Sequence, residues 1–203
     1  MTGISGLKGW RRHAAYAVLG LWATAPFAGN GATQQRACGA LDLAVARLEP
    51  PPMQYRQFCE ANPGHCILTG EFVLEWTKET AAAVEAVNHE VNTEIRFEPD
   101  WEWLGIEDLW CYPTAGVGDC EDFALEKRRR LVALGFPGAA LTMAIVHHRE
   151  CFFAHAVLLA ETTAGTLVLD NLDDALHCWD AAPYRYERRE GLDGRWIRYE
   201  RPR

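Results

Sequence analysis

Gly118-Asp119-Cys120-Glu121-Asp122-Phe123-Ala124-Leu125-Glu126-Lys127-Arg128-Arg129-Arg130-Leu131 reads as the opening of a helix, and the change of period beyond that helix decides the fold. Asp119 is a good N-cap, and Asp122 three residues on supplies a capping-box-like acid in the first turn. The helix stops at Gly135-Phe136-Pro137, a Gly terminator with Pro just beyond. After it the period changes from helical to alternating. Leu141 to Val146, Phe152 to Ala160, Thr166 to Leu169 and Arg195 to Tyr199 are short, apolar, β-branched runs that predict strands. Helices first and an antiparallel sheet second give an α+β domain, not a doubly wound sheet.

Working back toward the N-terminus, Phe97 to Val117 is a Trp-rich loop with Trp101, Trp103, Trp110, Tyr112 and Pro113. Its aromatics either pack on the core or wall a groove. Before it, Thr77 caps a predicted helix over Lys78 to Ile95, in which Val84, Val87, Val91 and Ile95 recur at helical spacing and face the core. Asn88 and Asn92 lie on a neighbouring face, in reach of solvent or a nearby loop. Tyr55 to Ala61 predicts a shorter helical segment, and Arg36 to Leu48 an amphipathic helix stopped by Pro50-Pro51-Pro52.

The first 32 residues read as a leader, with the domain over 33–203. Lys8, Arg11 and Arg12 precede an apolar run from Ala14 to Ala25, a secretory pattern too short to span a bilayer, with cleavage after Ala28 or Ala32. Export to the periplasm or beyond is the expectation, with no integral membrane segment left after cleavage. Three basic and no acidic side chains leave with the leader, so 20 basic against 28 acidic becomes 17 against 28, a formal charge of −11. That balance argues against nucleic acid as a partner, which would need a basic footprint.

All seven cysteines (Cys38, Cys59, Cys66, Cys111, Cys120, Cys151, Cys178) fall in the exported part, and an odd count leaves at least one thiol free. Cys59 and Cys66 bracket the Asn62-Pro63-Gly64 turn and are expected to pair. Cys120 falls at the first helical position, where unpaired N–H groups and the helix dipole favour a thiolate, the nucleophilic form. A base and an orienting acid are supplied by the hairpin turning at Thr162-Thr163-Ala164-Gly165. Centred near 162–163, it sets residue i opposite residue 325 − i, and so His155 across from Asp170 on one face. A slip of one residue would separate them. Cys120 as nucleophile, His155 as base and Asp170 as orienting acid then make a triad. The same mirror symmetry sets Cys151 near Cys178, a second candidate disulfide, and one of the extra thiols pairing with Cys120 is an alternative.

Trp110-x-Tyr112-Pro113, Gly118-Asp119-Cys120-Glu121-Asp122-Phe123-Ala124, Gly135-Phe136-Pro137, His155-Ala156-Val157-Leu158 and Leu169-Asp170-Asn171, in this order, resemble the bacterial transglutaminase-like cysteine proteinases, the relatives of the LapG periplasmic protease. The resemblance implies a papain-like, transglutaminase-type core whose Cys-His-Asp triad matches Cys120, His155 and Asp170. It implies calcium dependence, with ligands matching Asp119, Glu121 and Asp122, whose hard oxygens suit Ca²⁺. It further implies a large surface adhesin as protein substrate and an inner-membrane cyclic di-GMP receptor as regulatory partner. The same triad also serves acyl transfer, as in a transglutaminase or an amidase. A calcium-regulated binding module that keeps the fold without activity is the alternative from another class.

Overall fold

A computed structural model of the chain describes residues 38–201; the leader expected over 1–32 lies outside the described residues. Four helices, α1 (Met53–Ala61), α2 (Lys78–Glu94), α3 (Asp100–Trp103) and α4 (Cys120–Ala133), precede most of the sheet. The strands are β1 (Val45–Glu49), β2 (Arg96–Phe97), β3 (Val117–Gly118), β4 (Leu141–His148), β5 (Ala154–Thr162), β6 (Gly165–Leu169), β7 (His177–Cys178), β8 (Tyr184–Glu190) and β9 (Trp196–Tyr199). Seven of them form an antiparallel sheet in the order β1-β9-β8-β4-β5-β6-β7, and β2 and β3 make a small parallel pair beside it. The α+β class holds. No helix among the described residues is long and apolar enough to cross a membrane.

Val45–Glu49 is a strand, not the end of a helix running from Arg36: it covers the outer hydrogen-bonding edge of β9, from Val45 opposite Tyr199 to Glu49 opposite Trp196. Leu41 and Leu43, two apart, already carry the strand period and pack on the sheet. Strand β8 was not foreseen: Tyr184-Arg-Tyr-Glu-Arg-Arg-Glu190 is too charged to read as a central strand. Its charges are neutralised in place. Arg189 meets Glu161, Arg188 meets Glu49, and Glu190 is buried against Arg128 at 2.6 Å.

Strand alternation sorts the core into two faces. Leu158, Ala160, Met143 and Leu169 face the helices with Val84, Val87, Val91, Ile95, Phe123 and Leu131. Val157, Leu159, Val168 and Val146 face the other way, with Tyr184 and Tyr186. Helix α2 starts on a Thr77/Thr80 capping box, as the Thr77 N-cap predicted. Helix α4 ends on Gly135 at φ +94°, where Phe136 N–H returns to Leu131 O at 3.1 Å. Cys59 and Cys66 form a disulfide across the Asn-Pro-Gly turn.

Inside this frame α4 is bolted to the sheet. Arg128 donates to Glu190 and to Tyr55 Oη, Tyr55 also donates to Glu190, and Met143 N–H completes the Glu190 carboxylate at 3.2 Å. One buried ion pair thus joins α4, α1, β4 and β8, fixing where the start of α4 points.

Candidate active site

Cys120 opens α4 and lines a cleft of about 350 Å³ with Trp110, Asp119, Glu121, Ile145, His155 and Ala156. Gly118, two residues earlier, has a structural reason: a Cβ there would stand 2.7 Å from Asp122 Oδ2. The thiol donates to Glu121 Oε2 at 3.2 Å and accepts from Ala156 N–H at 3.4 Å, which brings β5 against the helix start. Burial pushes the Cys120 thiol up, and the charges of Glu121 and Asp119 add to it, with Ala156 N–H opposing. The helix-start effect expected from sequence is therefore outweighed by burial and by two neighbouring carboxylates.

His155 Nε2 and Asp170 Oδ1 are 2.8 Å apart, both buried. The hairpin register differs from the one expected: Thr162 pairs with Gly165 and Leu158 with Leu169, so partners sum to 327 rather than 325. A two-residue difference keeps both side chains on one face, and the pair survives as a diagonal contact just past the end of β6. Asp170 also accepts from Leu172 N–H at 3.0 Å and from Tyr184 Oη, and the Tyr184 ring lies 5.6 Å from that of His155. Burial raises the Asp170 carboxyl, but the His155 and Tyr184 bonds overcome it and hold the group below its usual range. Helix α2 secures the adjoining loop. Asn92 Nδ2 donates to Asp170 O and to Asp174 Oδ1, each at 2.8 Å, and Asn88 Nδ2 donates to Asp174 O at 3.0 Å. The two asparagines hold a loop, where solvent was the simpler expectation.

The three acids of the motif part company. Asp119 occupies the N-cap position but makes no capping bond; its Oδ2 accepts from Asp100 N–H at 3.3 Å. Asp122 turns away, with Oδ1 on Cys111 N–H at 2.8 Å. The acids brought together are Asp100, Asp119 and Glu121, each with a carboxylate oxygen within 4.8 Å of the others. Asp119 Oδ1 is buried and accepts no hydrogen bond among the described residues. Burial, the Asp119 charge and the hydrogen bonds to Asp119 and Asp108 push Glu121 up to about 11. Three hard oxygens, one with its lone pairs unused and one on a carboxyl pushed up for want of a counter-charge, fit a divalent cation. Asp100 was not foreseen: in sequence it is one acid in a Trp-rich loop, and only the fold carries α3 to the start of α4. Nothing in the sequence marked Tyr184 either. In the same loop, Trp110 is buried, whereas Trp101 and Trp103 are exposed.

The remaining thiols do not pair as the hairpin symmetry suggested. Cys151 is exposed in the turn between β4 and β5, where its N–H meets His148 Nδ1, and Cys120 is a free thiol.

A thiol at a helix start, an imidazole–carboxylate pair on the facing sheet and a cleft between them define a papain-like thiol hydrolase of the transglutaminase type. The family model for bacterial transglutaminase-like cysteine proteinases matches residues 45–202, and the chain belongs to that family and is a cysteine peptidase. Solved structures of Legionella pneumophila LapG are similar at 28% identity. The calcium-bound form gives a TM-score of 0.52 over 60% of this chain and 72% of that one. The EGTA-treated form gives 0.52 over 61% and 69%, and a further LapG structure 0.51 over 58% and 67%. Among curated proteins none matches.

Proposed function

We propose that the chain is an exported, calcium-dependent endopeptidase in which Cys120, His155 and Asp170 form the catalytic triad. The observation that carries this is the 2.8 Å bond from His155 Nε2 to Asp170, in a cleft shared with the Cys120 thiol. With Nε2–H donated to Asp170, Nδ1 keeps its lone pair and is the base that takes the thiol proton. The thiolate attacks a peptide carbonyl, and the oxyanion is met by N–H groups at the α4 start, including that of Cys120. His155 returns the proton to the departing amine, leaving a thioester on Cys120. Water, deprotonated by His155, then hydrolyses the thioester and releases the acid.

Asp100, Asp119 and Glu121 would hold calcium, which supplies positive charge to three crowded carboxylates beside the nucleophile. Glu121 is the link, since its Oε2 accepts the Cys120 thiol hydrogen bond. The similarity to a calcium-bound LapG structure supports calcium as the ion. Periplasmic location rests on the N-terminal leader pattern and agrees with the Cys59–Cys66 disulfide. A large surface adhesin as substrate and an inner-membrane cyclic di-GMP receptor as partner are what the family resemblance implies.

The test incubates the purified chain and its Cys120→Ser variant with an envelope protein fraction, in calcium and in EGTA, and sequences new N-termini by mass spectrometry. Paired fragments made only by the parent in calcium are the expected result. Crosslinked products would assign acyl transfer instead. Identical digests from parent and variant would overturn the triad.

A further inference from the structure

Five cysteines are free thiols, and three have separate surroundings: Cys120 in the cleft, Cys111 beside Asp122, and Cys151 in an exposed turn. Cys38 and Cys178 instead come together at the edge of the sheet, 140 positions apart in the chain. Strand β7 is the last of the sheet, and its Cys178 stands opposite Leu167. The next residue, Trp179, donates its N–H to Thr166 O at 3.1 Å, and Cys38 Sγ donates to that same carbonyl at 3.1 Å. The Cys38 thiol and the residue next to Cys178 thus meet at one carbonyl, and the neighbouring Cys178 thiol is among the groups that, after burial, push Cys38 up.

The segment carrying Cys38 is held there by more than its thiol. Thr166 N–H donates to Gly39 O at 3.0 Å, Trp179 Nε1 donates to Gly39 O at 3.1 Å, and Leu41 N–H donates to Thr166 Oγ1 at 2.7 Å. At the hairpin turn the approach is so close that a Cβ on Gly165 would stand 2.2 Å from Cys38 O. The backbones are therefore fixed before any bond between the sulfurs forms, and both side chains remain partly accessible.

We propose that Cys38 and Cys178 are a disulfide site, closed by exchange with a disulfide oxidant. One thiolate attacks the oxidant's disulfide and expels a thiol. The second thiolate attacks the resulting mixed disulfide, forming the Cys38–Cys178 S–S bond and releasing the other thiol. The protein loses two protons and two electrons, and the oxidant is reduced to two thiols. The bond ties the segment that leads into β1 to β7, the strand that ends the loop beginning at Asp170. In the cell it depends on the export proposed above, but the test does not.

The purified chain is equilibrated in glutathione buffers up to the oxidised-to-reduced ratio at which Cys59–Cys66 closes, alkylated under denaturing conditions, and mapped without reduction. A peptide pair joining Cys38 to Cys178 is the expected product. Alkylation of both while Cys59–Cys66 is closed, or a bond from either to Cys111 or Cys151, would overturn the proposal. Closing so long a loop is expected to raise the midpoint of thermal unfolding by about 5–10 °C. Cys38→Ser and Cys178→Ser should each lose that rise in oxidising buffer and match the parent in reducing buffer. A deficit of equal size in both buffers would assign the thiols to packing alone.

Discussion

His155 and Asp170 are bonded at 2.8 Å although no ladder pair joins them: β6 ends at Leu169, and Asp170 reaches back across the hairpin diagonal. The acid is positioned by Leu172 N–H of its own loop, by Asn92 of α2 on its carbonyl and by Tyr184 of β8, rather than by strand pairing. Asp170→Asn keeps the shape but removes the charge that fixes the imidazole tautomer. Its kcat should fall at least about a hundredfold, with Cys120 still present and folded by circular dichroism. Because the folded pKa of Asp170 is depressed, its contribution to stability is present above the ordinary carboxylate pKa and is lost as pH falls through the lowered value. The variant should lack that part of the parent's acid sensitivity in urea titrations below about pH 4.

Tyr184→Phe removes one of the bonds that hold Asp170 ionised and keeps the ring against His155. The acid limb of the kcat/KM profile should move to higher pH, with a drop of about tenfold at neutral pH. An unmoved limb would limit Tyr184 to packing.

Arg128 and Glu190, both buried, should be costly to break singly. Arg128→Met leaves Glu190 charged in the core and is expected to lose about 3–5 kcal/mol in denaturant titrations. Arg128→Met with Glu190→Leu removes both charges and should recover a large part of that loss. Equal losses in the single and double variants would contradict this account of the pair.

Lys127 is wholly buried on α4, and its Nζ makes no hydrogen bond among the described residues. Burial pulls the amine down to about 7, against the attraction of Asp170 and Asp174. Between that value and its ordinary 10.5 the unfolded chain binds the extra proton, so this group makes stability rise with pH across the window. Lys127→Met should be the more stable chain at pH 7, by an amount on the order of a few kcal/mol. That advantage should shrink toward about pH 10, near the ordinary lysine value, read as the difference between the two chains' urea midpoints.

Calcium removal by EGTA should lower both the thermal midpoint and the rate of Cys120 alkylation. Asp100→Asn, Asp119→Asn and Glu121→Gln should each weaken calcium binding about tenfold or more by calorimetry. Asp122→Asn should weaken it less, since that carboxylate is engaged with Cys111 N–H. A larger loss in Asp122→Asn than in Asp100→Asn would return the ligand set to the three acids of the motif.

The sequence by itself determined the features that depend on neighbours along the chain. The period of Val84, Val87, Val91 and Ile95 made α2, Gly135 ended α4, and the turn after Cys59 closed a short disulfide. It also set His155 and Asp170 at matching parity in the hairpin, which a two-residue change of register preserves, while contacts beyond β6 aim the acid. Tertiary structure decided whatever depends on neighbours across space. Strand β8 exists because its charges find Glu161, Glu49 and Arg128 on other elements, and a charged run has no such partners until the chain is folded. Strand β1 exists because β9 has an edge to cover. Asp100 joins Asp119 and Glu121, and Cys38 meets Cys178, because the sheet brings distant segments together; no spacing in the sequence encodes that contact.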